Sequence, residues 1–188
     1  MNQIYTHPKR KTKVVFVQLG SPSEPTTKAL RKYLRKFLGD PRVVDINPWL
    51  WKIILNFFVL PFRPKKSAKL YARIWDGKSF PLITNTRDFT NSVRQELKKI
   101  DPDGHVEVNH AFLLSPPYVN EVYDSWEEDL KKGIGATKLL VIPMFPQYSE
   151  STIASGIDAL AKELSKRVKI PTFEVITNFH RTHAFIDN

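Results

Sequence analysis

Apolar residues along this chain recur in two rhythms, and the alternation between them predicts the architecture. Lys13-Val-Val-Phe-Val-Gln-Leu19 is a nearly continuous apolar run closed by Gly20, the form of a strand buried on both faces. Behind it Ala29, Leu30, Tyr33, Leu34, Phe37 and Leu38 return at helical spacing, with Thr26 or Thr27 placed to cap them and Gly39-Asp40-Pro41 to stop them. A helix runs through Leu70 and Tyr71 to Trp75, and another covers Leu82 to Ile100 before the turn Asp101-Pro-Asp-Gly104. Then come a strand over Val106–Phe112, a helix over Pro117–Lys131 closed by Gly133 and Gly135, and a strand over Lys138–Pro143. A helix over Ser151–Val168, a break at Pro171 and a strand over Phe173–Thr177 complete the series. Strand–helix alternation with apolar strands predicts an α/β protein whose parallel sheet is covered on both faces. No repeat, low-complexity tract or linker interrupts it, so residues 1–188 read as one domain.

One stretch breaks the rhythm. Pro48 to Leu60 is apolar almost all round and too short for a membrane span, which needs about 20 residues. It fits a core helix, an interfacial segment or the wall of an apolar pocket. Core burial is the default for any one of its aromatics. Yet Trp49, Trp51, Lys52, Phe57 and Phe58 beside Arg63, Lys65 and Lys66 make the mixture of a membrane-surface segment.

Charge sharpens the picture. The first 75 residues hold sixteen Lys/Arg against three Asp/Glu, while the remainder is thirteen against sixteen. A basic first third suits an anionic partner: phospholipid headgroups, nucleic acid or a ligand with carboxylates; a solvated basic face is the plainer alternative. No nucleic-acid-binding motif is present, and nucleic acid is not expected as a partner. The absence of cysteine excludes disulfides and thiolate metal sites and fits a reducing cytoplasm. Met1 to Lys13 is polar and basic, with no apolar run before a cleavage site, so the chain is expected not to be exported.

Two loops carry candidate chemistry. Gly20-Ser-Pro-Ser-Glu-Pro25 follows the first strand, where open α/β sheets place ligands; its glycine spacing is not that of a dinucleotide site. Pro143-Met-Phe-Pro-Gln-Tyr-Ser-Glu-Ser-Thr152 follows the third, and its hydroxyls and amide at a helix amino terminus suit carboxylates or phosphates. His180 and His183 are spaced to meet on one helical face, but no cysteine and only Asp187 stand near them, which argues against a metal site. His110 reads as a packed or surface histidine.

Five stretches, in order, resemble the ferrochelatases. They are Val17-Gln-Leu-Gly-Ser-Pro22, Leu34-Arg-Lys-Phe-Leu-Gly-Asp-Pro-Arg-Val-Val44, Arg63-Pro-Lys-Lys-Ser-Ala68, Tyr71-Ala-Arg-Ile-Trp75 and Phe145-Pro-Gln-Tyr-Ser-Glu-Ser-Thr152. The resemblance implies a flavodoxin-like, three-layer domain with a four-stranded parallel sheet, the amino-terminal one of two that close around a porphyrin. It implies protoporphyrin and ferrous iron as substrates of the family, with no further cofactor. It places Ser21, Arg63, Tyr71, Tyr148, Ser149 and Ser151 toward the porphyrin, and Trp49, Trp51, Phe57 and Phe58 in an apolar lip at a membrane. Anionic lipid on the inner membrane face is the implied surface.

The departures are specific. The family's Asn before Leu-Gly is Gln18, its serine before proline in the segment after Ile-Trp is Phe80, and an arginine expected after the second strand is Leu113. The family's catalytic histidine and glutamate belong to a second half not found here, so no catalytic or metal-ligating residue is assigned. The sequence therefore predicts a porphyrin-clamping half that is inactive alone. Its alternatives are a half-length porphyrin- or haem-binding relative and a half-sized chelatase working as a homodimer. The first of these readings expects a carboxyl-terminal chelatase domain as partner, the last a second copy.

Overall fold

The computed structural model describes residues 11–133 and 136–187. The expectations for Met1–Arg10 and for Gly135 as a helix stop lie outside them. The strands β1 (Thr12–Gln18), β2 (Val106–Phe112), β3 (Lys138–Pro143) and β4 (Thr172–Val175) form one parallel sheet in the order β2-β1-β3-β4. Seven α-helices accompany them among the described residues: α1 (Thr27–Leu38), α2 (Pro48–Ile54), α3 (Arg63–Tyr71), α4 (Pro81–Ile100), α5 (Val119–Lys131), α6 (Ser155–Leu164) and α7 (His183–Ile186). The predicted α/β class and the four parallel strands are what the structure has.

Successive side chains of a strand point to opposite faces, and β1 divides the core accordingly. Val15 and Val17 pack with Leu139, Val141, Tyr123 and Trp126 of α5, and Leu160 and Leu164 of α6. Val14 and Phe16 point the other way, onto Val108 and onto Val93 and Leu97 of α4. Each fully buried aliphatic or aromatic side chain contributes about 1.5–3 kcal/mol, so the two faces of β1 anchor the whole sheet. Beyond α4, Leu140, Ile142 and Met144 are only half-buried at the rim of this second layer. Lys13, which opens the apolar run, is 1 % exposed, with Nζ 3.4 Å from Glu107 and 3.5 Å from Asp129. The two carboxylates, one from β2 and one from α5, offset the cost of burying its charge.

Arg94 of α4 reaches across the free edge of β2. Its Nε donates to the Val108 carbonyl at 2.7 Å, and Nη2 donates to the Asn109 side chain at 3.0 Å. His110 lies on the same strand with Nδ1 buried and, among the described residues, without a hydrogen-bond partner. Burial first, then Arg94 and Arg87, hold its pKa below the ordinary histidine value.

Several boundaries differ from expectation for identifiable reasons. The basic run from Arg63 is itself helical, with proline in its first turn. That helix ends at Tyr71, and a 3₁₀ turn (Ala72–Ile74) leads to Trp75. α5 starts at Val119, not Pro117, because the Pro117 carbonyl accepts from the Phe112 amide at 2.7 Å. α6 stops at Leu164 rather than Val168: Val168 is fully exposed, and Arg167 turns back to Asp124 at 2.6 Å and Glu127 at 3.1 Å. β4 is shorter than Phe173–Thr177, although the Ile176 amide still donates to Val141. His180 precedes α7 and His183 opens it, so the two do not share a helical face.

The aromatic stretch after Asn47 departs most from core burial. The Asn47 side chain caps α2 by accepting from the amides of Trp49 and Leu50. The helix continues as a widened π turn over Leu55–Val59, where the Leu60 amide donates to the Leu55 carbonyl at 2.8 Å. Only one face packs: Leu55 and Leu60 join Tyr33, Leu34 and Leu38 of α1. Trp51 turns inward, its Nε1 donating to the Leu38 carbonyl at 2.6 Å. Trp49, Phe57, Phe58 and Phe62 stay 77, 70, 67 and 72 % exposed. Among the described residues no helix is long and apolar enough to cross a membrane.

Candidate functional site

The carboxyl ends of β1 and β2 approach so closely that only glycine fits at the first turn. Gly20 has φ +92°, and a Cβ there would meet Ser115 Oγ at 2.3 Å. The backbone amide of Ser21 donates to Ser115 Oγ at 3.3 Å, and the Tyr33 hydroxyl of α1 donates to the Gly20 carbonyl at 3.4 Å. These contacts fix the loop after β1, the loop after β2 and the inner face of α1 as one unit.

Between them lies a cleft of about 340 Å³. Ser21, Ser23, Ser79 and Ser115 supply hydroxyls, Pro22, Trp75, Phe80 and Ile83 supply apolar wall, and Lys32, Lys36 and Lys78 supply cations. Asp76 stands beside Lys78, but its Oδ1 is engaged by the backbone amides of Lys78 and Ser79 at 2.7 and 2.6 Å, which keep its pKa low. A slot with apolar walls and several cationic or hydroxyl donors suits a ligand that is itself apolar and carries carboxylates.

A second, smaller cavity of about 110 Å³ adjoins it across Leu114 and is lined by Leu19, Phe37, Val43, Leu113, Ser151 and Ser155 among others. Its neighbourhood is braced by Arg42, which meets Asp158 of α6 at 2.8 and 3.2 Å through two nitrogens. The hydrogen bond from Arg42 holds the Asp158 carboxyl below the usual carboxylate range.

The structure brings the sequence-predicted residues to this region in two groups. Ser21 lines the larger cleft. Tyr71 stands just behind its wall, edge-on to Phe80 at 5.4 Å and tilted to Tyr33 at 6.3 Å. Burial, then Tyr71, pushes the Tyr33 phenol well above the ordinary tyrosine value. Ser151 lines the smaller cavity, and its hydroxyl lies 3.1 Å from that of Ser149. Ser149 precedes a single π turn (Glu150–Ala154) that leads into α6, a distortion common at binding sites. Tyr148 is 55 % exposed, and Arg63 opens α3 on the surface; neither lines these two cavities.

The two departures also find their places. Phe80 is 1 % exposed, packed between Tyr71 and Trp75, with its ring 4.7 Å from the latter. Leu113 packs against the main core and floors the smaller cavity. The sequence reading missed Lys32, Lys36, Lys78, Ser115 and Tyr118. The i, i+4 spacing of Lys32 and Lys36 on α1 was the available signal for two of them. Among the described residues no group of three or more His, Cys, Asp or Glu is placed to hold a metal ion.

Comparison with known proteins agrees with this arrangement. The family profile described as Ferrochelatase matches residues 11–188. The chain is 42 % identical to a ferrochelatase of Idiomarina loihiensis over 174 residues, which is 93 % of this chain and 46 % of that protein. It is 37 % identical to a ferrochelatase of Marinobacter nauticus, with 93 % and 45 % covered, and 38 % identical to a coproporphyrin III ferrochelatase of Streptococcus mutans, with 94 % and 53 % covered. The chain thus spans about half the length of the curated relatives it matches. With its parallel sheet and its glycine-bounded cleft, it belongs to the ferrochelatase family.

Proposed function

We propose that this chain is the porphyrin-clamping half of a ferrochelatase, the enzyme that inserts ferrous iron into protoporphyrin IX. The carrying observation is the cleft itself: apolar walls from Trp75, Phe80 and Ile83 face lysines on α1 and at Lys78. Protoporphyrin is a large apolar disc with two carboxylates, and both parts of it find partners there. Iron insertion also requires two pyrrole protons to leave, which needs a base at the ring face. On this reading the base belongs to a second domain, the other half of the relatives' length, and this chain supplies clamp and anchorage. On the same reading Ser149, Ser151, Tyr148 and Arg63 meet the porphyrin from outside this cleft.

The exposed aromatics complete the picture as a membrane-facing lip. Trp49, Phe57, Phe58 and Phe62 point outward beside Lys52, Arg63, Lys65 and Lys66. Aromatic rings at headgroup level with flanking cations favour an anionic bilayer surface, where an apolar porphyrin would be taken up.

Porphyrin titration with tryptophan fluorescence as readout tests the proposal. Trp75 lines the cleft, so protoporphyrin is expected to quench saturably, and Trp75→Phe is expected to remove most of that signal. An anaerobic assay on the same protein is expected to show no iron insertion. Absence of saturable quenching overturns the clamp, and turnover by this chain alone overturns the placement of the chemistry elsewhere.

A further inference from the structure

Lys36 and Tyr118 both line the larger cleft and meet there from elements far apart in sequence. Lys36 Nζ donates to the Tyr118 hydroxyl at 3.0 Å and sits 4.5 Å from the centre of the same ring. Among the described residues its ammonium is therefore held by a phenol and an aromatic face, not by a carboxylate. The phenol oxygen accepts from the lysine, which leaves its own proton to donate, while the ammonium keeps two further N–H groups. The pair presents two adjacent donors, one of them charged, over an apolar slot. That is the complement of a carboxylate on an apolar body.

The surroundings add to this. Lys32 lies one helical turn before Lys36 on the same face of α1 and lines the same cleft. Ser115 Oγ accepts from the Ser21 amide, so its proton also remains available to a ligand. Phe80 fills with aromatic carbon the wall next to Tyr71 and Trp75, and Leu113 is turned into the core. Neither position offers the cleft a donor.

We propose that Lys36, positioned by Tyr118, is the residue that receives a ligand carboxylate in this cleft. The assignment rests on the porphyrin reading and names the specificity-determining group within it.

Protoporphyrin and its dimethyl ester, which keeps the disc and removes both charges, are the probes. Wild-type protein is expected to bind the free acid about tenfold more tightly than the ester, the worth of a charge-assisted hydrogen bond. Lys36→Met is expected to remove most of that preference, the remainder resting with Lys32 and Lys78, and Lys36→Arg to restore most of it. Tyr118→Phe keeps the ring and is expected to give an intermediate loss. Inorganic phosphate at millimolar concentration is expected to compete weakly. Equal binding of acid and ester by wild type, or an unchanged ratio in Lys36→Met, overturns the assignment and leaves the porphyrin reading standing. Full displacement by phosphate overturns it in favour of a free phosphate site. Failure of wild-type protein to bind either porphyrin overturns both.

Discussion

Replacing Gly20 by alanine tests how the cleft is built. The native backbone at this position has φ +92°, and an alanine Cβ would stand 2.3 Å from Ser115 Oγ, 3.0 Å from Phe112 Cβ and 3.2 Å from the Ser115 amide nitrogen. A left-handed backbone costs an L-residue about 1–2 kcal/mol, and forcing atoms into a packed site adds about 1–3 kcal/mol. Gly20→Ala is thus expected to lose about 2–5 kcal/mol, a large share of the roughly 5–15 kcal/mol that holds a typical domain together. Ser115→Ala alone loses one hydrogen bond, to the Ser21 amide, worth about 1 kcal/mol. In the double variant the closest clash disappears, but the backbone strain and the contact with Phe112 Cβ remain. The two losses should therefore fall short of additivity by about 1 kcal/mol. Urea unfolding of the four proteins measures this, with the midpoint converted through a common slope. A Gly20→Ala protein within about 0.5 kcal/mol of wild type would refute the close approach, and so would strict additivity.

Two further outcomes follow from features of the surface. Binding to anionic vesicles is expected to fall sharply in Phe57→Asp/Phe58→Asp and to weaken at high salt, since each Lys or Arg near the surface adds about 1 kcal/mol that salt screens; sedimentation showing equal binding for wild type and variant would contradict the lip. The Asp158 carboxyl is held low by Arg42, so its contribution is present above the unfolded value of about 3.9 and is lost as pH falls through the lower folded value. Arg42→Met is expected to remove that part of the acid-side pH dependence of stability, and an unchanged stability–pH curve in the variant would count against it.

The periodicity of apolar residues was enough to place all four strands and most helices because burial sets both. β1 carries four consecutive buried apolar residues, Val14–Val17, and the shortness of the run, its β-branched valines and the closing Gly20 favour a strand covered on both faces over a helix. The misses came where a local contact overrode the period. Arg167 pairing with Asp124 and Glu127 ended α6 early, and the Pro117 carbonyl bonding to Phe112 delayed α5. The aromatic stretch was ambiguous because a run apolar on every side does not reveal which side packs. Leu55 and Leu60 are buried while Phe57 and Phe58 are not, a choice made by the position of α1. The loop that holds Ser21 was legible as lying at a strand's carboxyl end, but the meeting of Lys36 and Tyr118 was not. They lie 82 positions apart, and only the crossover of the sheet makes them neighbours.

The Arg94 clasp bears on how the β2 margin of the sheet meets another chain. A free strand edge offers a ladder of amides and carbonyls to any passing chain. Here the Val108 carbonyl and the Asn109 side chain are already occupied by a guanidinium anchored in α4. At the opposite end β4 is four residues long, with Phe173 and Glu174 facing solvent. A polypeptide that pairs along β2 meets the Val108 carbonyl already taken, and one that pairs along β4 finds a ladder only four residues long.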